Sequence, residues 1–315
     1  MFWRKIAAFS ACVAVVGCGG NPFVTQSNTG GGTTAALVNS VKLGTLQSFA
    51  YTPGAATMQI QLTAQDANTL TATYARNTAF DVIGRGTAGD PDYVAYTFQQ
   101  STSNRFVVAL VRNEGTLTGA IAVEGGQFGT YYGGGLAVRA DAFSFNATNV
   151  RGKLGTAATY SGTYVGIMNA GYNAPGGPGG ALNPEIGYRT TGRALITADF
   201  TDLKVTAGVD NRVIEETAAA TDTALVGTTP TLDGSGRVIL PTINMYESAI
   251  TADGTFTGEV YRGTSKVGDY SGIFSNSGDE VAALLVFQPL SITNLEERGL
   301  IVLQSCATGG GPACP

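Results

Sequence analysis

Short segments in which apolar and polar residues alternate recur along most of this chain. Residues 58–62 and 70–74 alternate strictly, whereas 106–111 is apolar at every position, which favours a central strand buried on both faces. Segments of this kind, separated by Gly, Asn and Asp, predict an all-β protein. They fall into two blocks, a β-rich domain over 38–150 and a second domain over 159–290.

Eight predicted strands fill the second block, and each has an apolar face. Eight antiparallel strands of this length suit a closed up-and-down β-barrel filled by side chains, with a two-sheet sandwich as the alternative. The last of them is apolar throughout, so both of its edges must be paired, as closure of a barrel would do. The predicted strands are 160–167, 193–200, 203–209, 236–243, 247–251, 255–261, 269–274 and 281–287.

Three segments lack a strand pattern. Residues 125–135, rich in Gly and Tyr, predict an exposed loop that is either a plain glycine turn or a ligand contact. Residues 169–187 contain Gly-Gly-Pro-Gly-Gly and predict a long loop. In the C-terminal tail, 291–315, the run Glu296-Glu297-Arg298 predicts a short surface helix.

The N-terminus has the order of an export signal. Arg4 and Lys5 precede an apolar stretch that is shorter than the roughly 20 residues needed to span a bilayer. The stretch ends in Val15-Val16-Gly17-Cys18, which resembles the lipobox of bacterial lipoproteins, and an ordinary secretory signal is the alternative. The resemblance implies a signal peptide over 1–17 and acylation of the Cys18 thiol, with palmitate as a typical chain. The lipid would then anchor the protein to a membrane.

The residues after the cysteine predict a tether and a location. Residues 18–37 are rich in Gly, Thr and Asn, so they form a flexible, lipid-anchored tether. Gly19 stands where lipoproteins retained in the inner membrane carry Asp. The lipoprotein pattern therefore implies the outer membrane of a Gram-negative bacterium, and we expect the folded part at the cell surface.

Composition excludes several classes of function. The chain has no histidine, which removes Ser-His-Asp and Cys-His catalysis and His-ligated zinc or haem. Its carboxylates include the adjacent pairs Glu215-Glu216 and Asp279-Glu280, which point to opposite faces of a strand, and no Gly-x-Ser-x-Gly motif occurs. We therefore expect no enzymatic activity, no cofactor and no metal site, although a calcium loop at 199–202 is an open alternative.

The charge of the chain argues against one class of partner. The formal net charge of −5 becomes −7 when the signal peptide with its two basic residues is removed, and no Lys/Arg-rich run occurs, so nucleic acid is not an expected partner.

Cys12 leaves with the signal peptide and Cys18 takes the lipid, which leaves Cys306 and Cys314. In an exported protein this pair predicts a disulfide in the C-terminal tail, since the spacing does not match a redox CxxC motif.

Four glycine-based motifs stand out in the second block, namely Gly162-Thr163-Tyr164-Val165-Gly166, Leu195-Ile196-Thr197-Ala198-Asp199-Phe200, Phe256-Thr257-Gly258 and Gly268-Asp269-Tyr270-Ser271-Gly272-Ile273-Phe274. They resemble the β-barrel domain of the transferrin-binding protein B family, a group of bacterial surface lipoproteins. The resemblance implies a β-rich handle-like domain over 38–150, followed by the eight-stranded barrel over 159–290. Such transferrin-binding-protein-like proteins bind host iron proteins, haem-containing proteins or complement regulators through barrel and handle loops.

The resemblance implies a surface lipoprotein that binds an extracellular protein or iron-bearing ligand through its loops. Aromatic and Arg side chains on exposed loops are typical of protein interfaces, and the same residues serve equally well as turn or rim packing. The alternative function is a structural or protective envelope lipoprotein without a dedicated ligand. The ligand-contact candidates are Tyr131, Tyr132, Tyr172, Tyr188 and Arg189.

Overall fold

The protein is almost entirely β-strand in the part of the chain that the structure, a computed structural model, describes. It contains a first antiparallel sheet, here called the handle sheet, and a closed eight-stranded antiparallel barrel, so the predicted fold class is confirmed. The signal peptide, Cys18 and the tether lie outside the described residues. The described residues are 39–63, 69–83, 91–99, 106–124, 132–140, 146–170, 187–221, 230–291, 295–307 and 314.

The handle sheet has the strand order β1-β9-β8-β7-β6-β4-β3-β2, and the short β5 pairs with β6. Its two faces are both buried. One face packs on the barrel, and the other encloses a core of its own that includes Leu46, Ile60, Tyr74 and Tyr96. The strands are β1 (Ser40–Gly44), β2 (Leu46–Ala50), β3 (Thr57–Thr63), β4 (Thr69–Arg76), β5 (Val82–Ile83), β6 (Pro91–Gln99), β7 (Phe106–Glu114), β8 (Leu117–Glu124) and β9 (Tyr132–Arg139).

The barrel follows in simple up-and-down order, each strand antiparallel to the next, with β17 closing on β10. Before it comes helix α1 (Ala147–Leu154), capped by the Asn146 side chain, which accepts hydrogen bonds from the amides of residues 148 and 149. Two 3-10 turns cover Thr78–Phe80 and Thr217–Thr221. The barrel strands are β10 (Ala157–Ala170), β11 (Tyr188–Asp199), β12 (Lys204–Ile214), β13 (Ile243–Ala249), β14 (Thr255–Arg262), β15 (Ser265–Phe274), β16 (Glu280–Phe287) and β17 (Leu295–Gln304).

One of the eight predicted barrel strands is wrong, and one observed barrel strand is missing from the prediction. Residues 236–243 do not form a barrel strand of their own, since only Ile243 belongs to one, as the start of β13. Residues 236–240 return from a tight turn at Asp233, and Val238 and Leu240 pack over one end of the barrel. The eighth strand is instead β17, so the barrel continues beyond its predicted end at residue 290. The short helix predicted at 296–298 is wrong as well, because those residues lie within β17, where all three pair with β10 and the last two also pair with β16.

The barrel interior is filled by side chains. Inward-facing residues alternate along each strand, and aromatic rings occupy the centre. The ring of Phe274 lies 5.8 Å from that of Tyr160, 5.5 Å from that of Phe200 and 5.1 Å from that of Phe256, between ring centroids. These distances are typical of packed aromatic pairs, so the barrel has a solid core.

The handle sheet and the barrel share one apolar core. Barrel residues that face outwards, such as Leu284, Leu300 and Val302, pack against the handle sheet. The predicted loop at 125–135 is wrong in its second half, because 132–135 belong to β9. A Cβ on Gly135 would lie only 2.6 Å from Leu284 Cδ2, so this glycine allows the close approach of the two sheets.

Candidate functional site

The barrel holds a buried polar cluster of four side chains, here called the core network. Glu297 and Arg212 are fully buried, and Arg212 Nη2 lies 2.5 Å from Glu297 Oε2. Tyr164 Oη and Thr190 Oγ1 donate hydrogen bonds to Glu297 Oε1 at 2.6 Å and 2.5 Å. Arg212 Nη1 also donates to the Pro241 carbonyl at 2.7 Å. The network thus ties together β10, β11, β12 and β17 and the segment before β13.

A β-bulge turns Arg212 into the barrel. In β12, Val205 and Val209 point inwards, so strict alternation would put residue 211 inside and Arg212 outside. Asn211 instead has a positive φ of 49°, and the pairing of β11 with β12 shifts register at this point. Gly192 on β11 leaves the space, because a Cβ there would lie 2.9 Å from Arg212 Cγ.

Burial sets the electrostatics of the core network. The pKa of Tyr164 is raised well above its usual value, first by burial and then by the negative charge of Glu297, so the phenol remains a proton donor. The Arg212 guanidinium lies 5.0 Å from the Phe287 ring centroid and 5.9 Å from that of Tyr164, within the range of cation–π contact. Because a buried ion pair loses its hydration, these added contacts offset part of the desolvation cost.

Chemically, the core network acts as a structural tie between strands, because its side chains are closed off from solvent. Arg212, Glu297 and Thr190 are each 0 % exposed, so no reacting molecule reaches them in this conformation. Gly166 also allows this packing, since a Cβ there would lie 2.5 Å from Glu297 Oε1. In the ranges that the structure describes, no group of three or more His, Cys, Asp or Glu side chains could hold a metal ion.

The end of the barrel beside the core network carries its longest connections. β10–β11, β12–β13 and β16–β17 are all joined at this end, through segments that include 171–186, 222–229 and 292–294, which lie outside the described residues. The described part of this end is closed by an apolar cluster. The cluster contains Met168, Ile214, Ala219, Val238, Leu240 and Leu295.

Two of the ligand-contact candidates lie at this same end and have partners within the molecule. Tyr188 is half-buried and packs against the apolar cluster. Arg189 donates from Nε to Glu216 Oε1 at 2.7 Å, and its guanidinium lies 4.9 Å from the ring centroid of Phe80, in the 3-10 turn between β4 and β5 of the handle. Burial raises the pKa of Glu216, and Arg189 opposes this shift. Arg189 therefore connects the barrel rim to the handle.

The structure describes some of the remaining predicted sites and not others. Cys306 and Cys314 form a disulfide, with Cα atoms 5.6 Å apart. Tyr131 and Tyr172 lie outside the described residues, as does the Cys18 lipidation site. For Tyr132, only its place at the start of β9 is described. Within the described ranges, no helix is long and apolar enough to cross a membrane.

Sequence reasoning missed the core network and the exposed side chains of the barrel wall. The sequence pattern predicts a surface helix at Glu297, and it gives no clear signal for the bulge that turns Arg212 inwards. On the outer surface, Leu195 is 42 % exposed and Tyr246 is 48 % exposed. Both lie on regular strands, and strand alternation predicts that one set of residues faces outwards.

No protein-family model matches this chain, and no curated protein matches its sequence. Among solved structures, a variant of transferrin-binding protein B from Haemophilus parasuis is similar at 14 % identity and a TM-score of 0.36, over 82 % of this chain and 54 % of that one. The corresponding protein from Neisseria meningitidis has 12 % identity and a TM-score of 0.36, over 82 % and 51 %. The N-lobe of lactoferrin-binding protein B from Moraxella bovis has 13 % identity and a TM-score of 0.36, over 70 % and 80 %.

The chain spans about half the length of the transferrin-binding proteins that it matches. At these identities and TM-scores the similarity assigns neither a family nor a ligand to this chain. The function is therefore argued from its own residues.

Proposed function

We propose that this chain is a non-catalytic lipoprotein of the outer membrane that holds a protein or iron-bearing ligand on the loops of its handle–barrel lobe. The observation that carries the proposal is the filled barrel. Among the residues that the structure describes, Tyr160, Phe256 and Phe274 pack at the centre of the lumen and fill it with side chains, so we assign binding to the outer surface and the loops.

The architecture supports loop binding because it is a rigid platform. The handle sheet and barrel share a core, and loops on a rigid scaffold can be held in a fixed arrangement with little ordering cost on binding. The longest connections gather at one barrel end, beside Arg189 and Phe80, so segments of both sheets meet there. Tyr172, one of the ligand-contact candidates from the sequence, belongs to the connection between β10 and β11.

The lipobox-like end of the signal supports the anchored location. Cys18 would carry the acyl chains, and residues 18–37 would hold the lobe away from the membrane surface. Two or more acyl chains give stable membrane attachment, whereas one chain binds only marginally.

Location is tested first, by protease treatment of intact cells that express the full chain, with detection of the lobe by antibody. We expect loss of the lobe on intact cells, and release of a Cys18→Ala variant from the membrane fraction. Survival of the lobe until the outer membrane is broken would contradict the surface location and favour the structural envelope function instead.

Binding is tested next with the purified mature chain, without its lipid, immobilised and exposed to iron-loaded transferrin and lactoferrin. These probes are chosen because the similar solved proteins are named for them. We expect saturable binding that a Tyr172→Ala variant weakens and that Asp202→Ala, an exposed turn residue at the opposite barrel end, leaves unchanged. Absence of binding to both proteins, or equal weakening by the two variants, would contradict this function.

A further inference from the structure

A groove of about 290 Å³ runs across the outer wall of the barrel, over β11, β12 and β13. Its floor follows a row of outward-facing residues set by strand register. Leu195 pairs with Gly208, Gly208 with Asn244, and Asn244 with Tyr261 of β14. The groove is therefore built from the regular part of the barrel and is separate from the loops at the barrel end.

Gly208 is the residue that opens the groove. Its φ lies outside the left-handed region, so the backbone does not require glycine here. A Cβ at this position would meet its nearest neighbours, Ile243 O and Asn244 Oδ1, at 3.4 Å and 3.5 Å, which is ordinary contact. Neither conformation nor packing explains the glycine. Its effect is to leave a trough between the exposed side chain of Leu195 and the half-buried side chain of Asn244.

The groove walls offer neutral hydrogen-bonding groups. In the part of the chain that the structure describes, the side chains of four lining residues make no hydrogen bond within the protein, so their polar atoms face solvent. At one end, Arg193 Nε donates to Asp210 Oδ1 at 3.0 Å, which pairs the two charges and leaves the groove without net charge. The four lining residues are Thr197, Thr206, Thr242 and Asn244.

A pair of stacked tyrosines adjoins the groove. The rings of Tyr246 and Tyr261 lie 4.1 Å apart between centroids and 15° from parallel, and Tyr246 is 48 % exposed. Their hydroxyls are held by protein acceptors, the Gly263 carbonyl and Glu259 Oε2. Tyr261 pairs in register with Asn244, and Tyr246 lies two residues along β13 from Asn244 on the same face, so the stack continues the outward-facing row beside the groove.

We propose that this groove binds a neutral saccharide of one or two rings. A sugar ring presents an apolar face of C–H groups and a rim of hydroxyls, which complement an aromatic or Leu surface flanked by hydroxyl, amide and paired charged groups. The groove volume lies near the lower limit of ligand pockets, about 300–1,000 Å³, which limits the ligand to a short segment. Because Arg193 is neutralised by Asp210, the groove offers no free cation for a sulfated or phosphorylated ligand.

The experiment is a titration of the purified mature chain with three disaccharides, followed by amide chemical shifts. The probes are an N-acetylhexosamine disaccharide, a neutral hexose disaccharide and a sulfated disaccharide. We expect a neutral disaccharide to shift the amides of β11–β13, with the sulfated probe binding at least tenfold more weakly. If the N-acetylhexosamine probe binds, intact glycoprotein glycans and envelope glycan strands are then compared to identify the source.

Variants make the site falsifiable. Gly208→Val should remove binding while keeping the thermal unfolding midpoint, because the position has space and β-branched residues suit strands. Tyr246→Ala should weaken binding about three- to tenfold. Gly234→Val, at an exposed turn glycine with no neighbour within 4 Å, is the matched control and should bind normally. The proposal is overturned if no disaccharide binds at its solubility limit, if the sulfated probe binds as well as the neutral ones, or if Gly208→Val and Tyr246→Ala both bind normally.

Discussion

Replacing Tyr93 with phenylalanine tests whether the handle sheet completes the barrel wall. The pairing of β10 with β17 runs as far as Tyr164 and Ile301, is then interrupted, and resumes only as a single bridge between Tyr160 and Ser305. The Tyr93 hydroxyl, from the handle, fills the interruption. It donates to the Thr163 carbonyl at 2.9 Å and accepts from the Val302 amide at 3.0 Å.

The magnitude follows from the two backbone groups left behind. Tyr93 is 0 % exposed, so water does not replace its hydroxyl when the oxygen is removed. An unsatisfied buried donor or acceptor costs about 1–3 kcal/mol. With one of each, Tyr93→Phe should lower the free energy of unfolding by about 2–6 kcal/mol. Burial also raises the pKa of Tyr93 to about 12, so the phenol is neutral and can donate at any ordinary assay pH.

The assay is urea denaturation combined with amide hydrogen exchange. Tyr96→Phe is the matched control, because the Tyr96 hydroxyl makes one hydrogen bond, to the Ala55 carbonyl at 2.9 Å, and its loss should cost only about 0.5–1.5 kcal/mol. We also expect faster exchange of the Val302 amide in Tyr93→Phe. Equal destabilisation by the two variants, with unchanged protection of Val302, would refute the reasoning.

Three further predictions concern the buried polar groups. Gly166→Ala should destabilise the protein by about 1–3 kcal/mol, because the new Cβ would lie 2.5 Å from Glu297 Oε1. Gly234→Ala, in open space, is the control and should change the free energy of unfolding by no more than about 0.5 kcal/mol in the same urea assay. Equal effects of the two variants would contradict this prediction. Arg212→Met should lower the free energy of unfolding by about 3–5 kcal/mol, because it leaves the buried Glu297 without its ion-pair partner. Adding Glu297→Gln should restore much of that stability. Additive losses in the double-mutant cycle would contradict the pairing. Burial raises the pKa of Glu280 above its usual 4.5, so the folded state keeps that proton to higher pH than the unfolded state does. Stability should therefore fall as pH rises from 4.5 through the raised pKa of the folded state. Glu280→Gln should flatten this part of a plot of thermal unfolding midpoint against pH, and an unchanged slope would contradict the prediction.

Alternation along the chain was enough to predict an all-β protein with an eight-stranded closed barrel, because most strands have one face in a core. It failed at β17, where both faces depart from the usual pattern. Leu300 and Val302 face outwards yet are buried by the handle sheet, and Glu297 faces inwards yet is charged. A local pattern cannot distinguish such a strand from a surface segment when the packing partners are distant in the sequence.

The candidate site was predictable only in part for a similar reason. The Arg189 side chain stood out as an exposed cation, but its partners Glu216 and Phe80 are 27 and 109 positions away, and only the fold brings them together. Arg212 became part of the core network through one extra residue in β12, which reverses the side-chain parity. A bulge of this kind needs only one residue with a positive φ, and Asn is among the residue types that tolerate it.

The contacts between the handle sheet and the barrel bear directly on how this lobe could bind a partner. Apolar packing holds the two sheets together but has little directional preference. The orientation of the handle sheet relative to the barrel is fixed by polar contacts that cross the interface. Besides Tyr93, the buried Arg139 at the end of β9 donates to the Phe274 carbonyl at 2.8 Å and to the Asp253 carbonyl at 3.3 Å. With Tyr93 fixed to one side of the barrel wall and Arg139 to another, the handle cannot rotate without leaving buried polar groups unpaired. Loops from both sheets therefore keep a constant spacing, which is the property that a binding surface assembled from both would require.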